Sequence, residues 1–97
     1  MKNGSAWTLL SNHGHVLVCI ASDPHMRLRD VAEKVGITER AVQRIILDLE
    51  QAEILHRERE GRRNHYRINA MHPLRHPLEQ HHTVGELVEA VSGCKLK

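Results

Sequence analysis

Residues 28–52 read LRDVAEKVGITERAVQRIILDLEQA. Val31, Ala32 and Val35 recur at the three-and-four interval of a buried helical stripe, with Leu28 just ahead of them. The spacing predicts a first helix over residues 29–35. Gly36 stands where a helix ends in a left-handed residue, a conformation glycine adopts at no steric cost. Thr38 follows as a good N-cap, because its hydroxyl oxygen can accept a bond from a free N–H of the next helix. Ile37 before the cap and Val42 after it are placed as a hydrophobic staple. The second helix runs to residue 52 and buries Val42, Ile45, Ile46 and Leu49. Thr38, Arg40, Gln43, Arg44 and Leu47 are left on or near its other face.

Upstream, Val16, Leu17 and Ile20 form the stripe of a helix ending at Ser22, bordered by Cys19. Asp23-Pro24 stops it, since a residue before proline avoids the helical region. Residues 26–28 read as a short strand. Trp7 is expected to pack on the domain or on a partner subunit.

Downstream, ILHREREGRRNHYRIN (residues 54–69) reads as two strands about a Glu60-Gly61-Arg62 turn, with Tyr66 and Ile68 facing inward and His65 and Arg67 outward. An isolated hairpin is not stable, so it must pack on the helices as a wing. After Asn69 the repeated His-Pro-Leu predicts an extended stretch. Thr83 then caps a last helix to about Val91, with Val84, Leu87, Val88 and Val91 on one face. In so small a domain that face is expected to pack across a dimer.

A chain of 97 residues is enough for one small domain, and 40% hydrophobic with 27% charged residues fits a folded chain. Aromatics make up only 2%, so the core must be aliphatic. The net charge of +2 argues weakly for a nucleic-acid partner. Local clustering argues better: in the hairpin Arg57, Arg59, Arg62, Arg63 and Arg67 outnumber Glu58 and Glu60. No apolar run is long enough to cross a membrane, and a signal-peptide pattern is missing. The two cysteines, Cys19 and Cys94, lie in different elements and form no CxxC pair, which fits reduced thiols in the cytoplasm. With no phosphate loop, no nucleophile elbow and no positioned Cys-His partner, an enzyme is not expected.

A short helix, a glycine turn and a capped second helix make the helix-turn-helix pattern, whose second helix fits the major groove. Residues 13–68, through LRDVAEKVGITERAVQRIILDLEQAEIL and REREGRRNHYRI, resemble winged helix-turn-helix transcriptional regulators of the ArsR-like and MarR-like kind. The resemblance implies a mainly α fold with a small β-hairpin wing. It also implies a role in transcription regulation and groove-facing Thr38, Arg40, Gln43 and Arg44. It places Arg62 and Arg63 at a wing tip that touches phosphates or the minor groove. Glu53 stands where many such proteins have glycine, so the exit from the second helix is expected to differ. The Cys-rich metal-sensing motif of many ArsR-like proteins is absent.

Chemistry agrees with that placement. Arg40 or Arg44 could reach guanine O6 and N7 with two donors, and Gln43 could pair with adenine. Arg59, Arg62 and Arg63 would grip phosphate. The bland alternative pairs Arg40 and Arg44 with Glu39 and Asp48 at helical spacing, and treats the hairpin charges as protection of a sheet edge. The expected organisation is an extension over residues 1–10, a DNA-binding domain over residues 11–70, and a C-terminal extension over residues 71–97. The expected partners are double-stranded DNA and a second copy of the chain. Two rivals follow from the same residues. The acidic Glu39, Asp48, Glu50 and Glu53 suit a winged-helix protein-interaction module without specific DNA binding. His72, His76, His81 and His82 with Cys94 suit a metal- or redox-responsive switch for zinc or nickel. Their spacing matches no known site, so no metal ligand and no cofactor is assigned.

Overall fold

In the computed structural model, which describes residues 7–96, six elements follow one another: α1 (Asn12–Ser22), α2 (Leu28–Val35), α3 (Glu39–Gln51), β1 (Leu55–Glu60), β2 (Arg63–Ile68) and α4 (Val84–Ser92). The first six residues of the expected N-terminal extension lie outside the described residues. Trp7 is described and is 74% exposed, so it does not pack on the domain. No helix among the described residues is long and apolar enough to cross a membrane.

Local signals set the central pair. Gly36 sits at φ 89° after α2 and its N–H donates to Ala32 O at 2.8 Å. Thr38 Oγ1 accepts from Ala41 N–H at 3.0 Å, closing one open donor of α3. Val42, Ile45, Ile46 and Leu49 of α3 then meet Val16, Leu17 and Ile20 of α1 and Val31 and Ala32 of α2 in one aliphatic core.

The exit from α3 corrects an expectation. Glu53 takes the left-handed conformation, φ 63°, that glycine would supply. Its N–H donates to Glu50 O (3.0 Å) and the N–H of Ile54 to Leu49 O (2.9 Å). These two bonds make the Schellman closure, with Leu49 and Ile54 both buried beside it. The turn is thus the usual one with an unusual residue in it.

β1 and β2 pair antiparallel from Leu55↔Ile68 to Glu60↔Arg63, about a two-residue Gly61-Arg62 turn in which Gly61 has φ 60°. Leu55, Tyr66 and Ile68 bury the inner end, while the outer end projects into solvent. The short strand expected at residues 26–28 is not formed, and the sheet has two strands. Arg27 O is already taken by the first turn of α2 (Asp30 and Val31 N–H, 2.9 and 3.0 Å), so it cannot serve a ladder. One bond remains there, from Tyr66 N–H to Pro24 O at 3.2 Å.

The last helix also departs from expectation. Val84 and Val88 are 2% and 1% exposed, packed into the same core, with α4 lying on α1. Of the face expected to meet a second subunit, Val84 and Val88 are filled from within the chain, while Val91 stays 51% exposed. The His-Pro stretch is not extended either. It folds into a loop closed by the Pro73↔Thr83 bridge, with Leu74 N–H to His82 O (2.9 Å) and Val84 N–H to His72 O (2.8 Å). That closure turns the chain back and aims α4 at the core. A capping box then starts α4: Thr83 N–H donates to Glu86 Oε1 (2.7 Å) and Glu86 N–H to Thr83 Oγ1 (3.2 Å). Gly85 makes the seat possible, because a Cβ there would lie 2.7 Å from Ala70 Cβ and 2.8 Å from Ala70 O.

Three outcomes follow. Gly85→Ala should lower stability by about 1–3 kcal/mol in denaturant unfolding, since Ala70 backbone must move. Glu53→Gly should raise it by up to about 1 kcal/mol, by relieving the left-handed strain. The Thr83 N–H, and after it His82, hold the Glu86 carboxyl below its ordinary pKa. The wild-type advantage over Glu86→Gln should therefore be full above the ordinary carboxylate pKa. It should fade as pH falls through the lower folded value, as measured by unfolding across an acid pH series.

Candidate nucleic-acid interface

Burying one face of α3 forces the opposite face outward. Arg40, Gln43, Arg44 and Leu47 are all exposed and recur at three- and four-residue spacing, so they form one stripe. Leu47 is 53% exposed, an apolar spot in a polar row. Thr38 is exposed at the start of the same helix, with its oxygen committed to the cap.

Beside the stripe lies a cleft between α3 and the wing. Gln43 and Leu47 line it from α3, Arg57, Arg63, Asn64 and Tyr66 from the hairpin, and Arg27 from the turn before α2. The fold therefore brings Gln43 and Arg63 to one cleft. Arg40 and Arg44 stand on the exposed stripe outside its lining, and Arg59 and Arg62 are exposed on the outer hairpin. Arg27 and Asn64 are cleft residues that the sequence reading passed over. Arg27 is a lone base before a helix, and Asn64 becomes interesting only once its strand is known to face α3.

Charge allocation separates the arginines into two groups. Arg57 pairs with Glu50 (Nε to Oε2, 3.2 Å) and lies 5.8 Å from the Tyr66 ring centre. Arg67 pairs with Glu58 (3.1 Å), and this bond holds the Glu58 carboxyl below its ordinary value. Among the described residues, no carboxylate lies within 4.0 Å of Arg40, Arg44, Arg59, Arg62 or Arg63. The pairing of Arg44 with Asp48 is pre-empted, since Asp48 is bonded to His13 of α1 at 2.9 Å. Of the acidic residues that suggested a protein partner, Glu50 is paired with Arg57 and Asp48 is bonded to His13 inside the chain.

Three of the candidate histidines after the wing are engaged within the chain. His72 Nδ1 bonds the Pro73 carbonyl (2.8 Å), His76 Nδ1 accepts from Leu78 N–H (3.0 Å) and His82 bonds Glu86 (3.2 Å). Cys19 is half-buried against the core, and burial pushes its thiol pKa up, which suits packing rather than reactivity. Cys94 is half-buried, with its N–H on Ser92 Oγ at 3.0 Å.

Residues 9–55, from the approach to α1 to the start of β1, match a family model described as winged helix-turn-helix DNA-binding. Among solved structures the chain is similar to MepR, a transcription regulator of the Staphylococcus aureus multidrug efflux pump MepA. The TM-score is 0.57 at 19% identity, covering 86% of this chain and 55% of that one. It is also similar to Lactococcus lactis ZitR in complex with DNA, at TM-score 0.54 and 22% identity, covering 71% of this chain and 49% of that one. The chain thus spans about half the length of the solved structures it matches. No curated protein matches it.

Proposed function

We propose that the chain, whose residues 9–55 match a winged helix-turn-helix DNA-binding model, reads double-stranded DNA by sequence and regulates transcription, as a homodimer in the cytoplasm. The observation that carries this reading is the set of five arginines without carboxylate partners among the described residues, Arg40 and Arg44 on α3 and Arg59, Arg62 and Arg63 on the wing. Exposed cations kept clear of in-chain partners are available to phosphates and base edges. Gln43 in the cleft between them supplies the neutral donor and acceptor that an adenine needs.

In this reading α3 enters the major groove, Arg40, Gln43 and Arg44 face the base edges with Thr38 at the start of the helix, and the wing arginines lie along the backbone. Phosphate contacts supply most of the affinity and base contacts the discrimination. A two-fold dimer would read half-sites about 34 Å apart or a multiple of that. Because α4 is used within the chain, the second copy would be met elsewhere. Trp7 and Leu9, 74% and 93% exposed, offer an apolar surface for it. Residues 11–70 act as the DNA-binding unit in this proposal, with residues 71–97 supporting it by way of α1. Regulation then follows from occupying the site.

Selection from random duplex DNA, followed by sequencing, should enrich a motif with two-fold symmetry. On the enriched site, Arg40→Ala and Arg44→Ala should each cost about 1–3 kcal/mol and relax preference at one base pair. Arg62→Ala with Arg63→Ala should weaken all sequences alike. With about five phosphate contacts per subunit the slope of log affinity against log salt should be near −5 per subunit, and the wing double variant should lower it by about 2. Absence of retention at low salt would favour a protein-interaction module instead. Sedimentation of the free chain decides the dimer.

A further inference from the structure

Three side chains from distant parts of the sequence meet at the outer wing. His25 Nε2 lies 3.1 Å from Glu60 Oε1, and His65 Nδ1 lies 3.4 Å from the same oxygen. The donor atoms of all three fall within 4.8 Å of one another, and the two imidazole centres are 5.1 Å apart. Among the described residues, no other set of three such groups gathers in this way.

His65 is the informative member. Its second nitrogen, Nε2, is 3.0 Å from Glu58 Oε1, and Glu58 is in turn held by Arg67 at 3.1 Å. When the ring proton sits on Nε2, facing Glu58, Nδ1 offers a lone pair. That Nδ1 is buried and has no hydrogen-bond partner, yet it faces a carboxylate oxygen. Two electron-rich atoms at this separation repel one another unless a positive charge lies between them.

We propose that His25, Glu60 and His65 bind a divalent transition-metal ion of the zinc kind, with Glu58 orienting His65 from behind and water completing the coordination. Ligand atoms about 2.0–2.1 Å from a tetrahedral ion stand roughly 3.3 Å from each other. The separations of 3.1 and 3.4 Å match two edges of that figure. Two imidazoles and one carboxylate suit zinc, nickel or copper and not magnesium or calcium, which take oxygen donors. A carboxylate on the far nitrogen of a ligating histidine is the usual outer support. The ion would clasp both wing strands to the turn before α2, where Pro24 O already accepts from Tyr66 N–H. It would thereby hold the wing at one angle to α3. That last consequence rests on the proposed DNA reading, whereas the site itself does not.

The test is calorimetric titration of the untagged full chain with zinc, without DNA, backed by nitrogen-15 spectra of the histidine rings. One ion per chain is expected, with the His65 Nδ1 resonance displaced on binding. His25→Ala and Glu60→Gln, both at exposed positions, should each weaken binding by more than about tenfold, and Glu58→Gln by about 10–100-fold. His81→Asn with His82→Asn should leave it unchanged. The proposal is overturned if zinc does not bind, or if His25→Ala binds as wild type does. It is equally overturned if the spectra show both His65 ring nitrogens protonated with zinc present, which would make the bridging charge a proton. DNA affinity with and without zinc is then read separately. A chain that binds zinc but no DNA keeps the metal site and overturns only the DNA role.

Discussion

Burial of one face of α3 is the constraint on which the rest of the molecule depends. Val42 and Ile46 are 0% and 1% exposed, and α3 touches α1, α2 and β1. Burying an aliphatic side chain of this size contributes about 1.5–3 kcal/mol, so four of them fix the helix's rotation about its own axis. Nothing else needs to place Arg40, Gln43 and Arg44 outward. They are exposed because α3 cannot turn without bringing their charges into a core that has no partner for them.

The end of α3 passes that orientation on to the wing. Glu53 holds a left-handed backbone that costs a residue with a Cβ about 1–2 kcal/mol. The Schellman bonds and the burial of Leu49 and Ile54 offset it. Asn69 adds a lock at the other end of the hairpin, its N–H donating to Ile54 O at 2.8 Å and its side chain to Glu53 O at 3.3 Å. The wing therefore leaves α3 in one direction, and the cleft between them has fixed walls.

Carboxylates are distributed with the same economy. Glu50, Glu58 and Asp48 are each engaged by a base that is not one of the five arginines left clear. On an exposed surface such pairs contribute little to stability. Their effect is on the electrostatic surface, because every acid engaged at the inner wing or at α1 is one fewer competitor at α3 and the wing tip. The charge of the whole chain, only +2, conceals this separation.

The sequence by itself determined the parts whose physics is local. Gly36, Thr38 and the Val42-to-Leu49 stripe specify α2, the turn and α3 within two dozen residues. Gly61 between two alternating runs specifies the hairpin. Contacts of low sequence separation need no closure of long loops, so their signals lie side by side in the chain. Tertiary structure alone decided the rest. The strand expected at residues 26–28 lost its carbonyl to the first turn of α2. The last helix went to α1 because Gly85 admits Ala70 beneath it, a fit between residues whose side chains give no periodic signal. His25 and Glu60 stand 35 residues apart and His65 on the opposite strand. Close spacing points instead to His72 through His82, of which His72 and His76 bond the backbone of their own loop and His82 bonds Glu86. Proximity of chemistry-bearing side chains is a property of the folded chain, and only the packed wing and turn could create it.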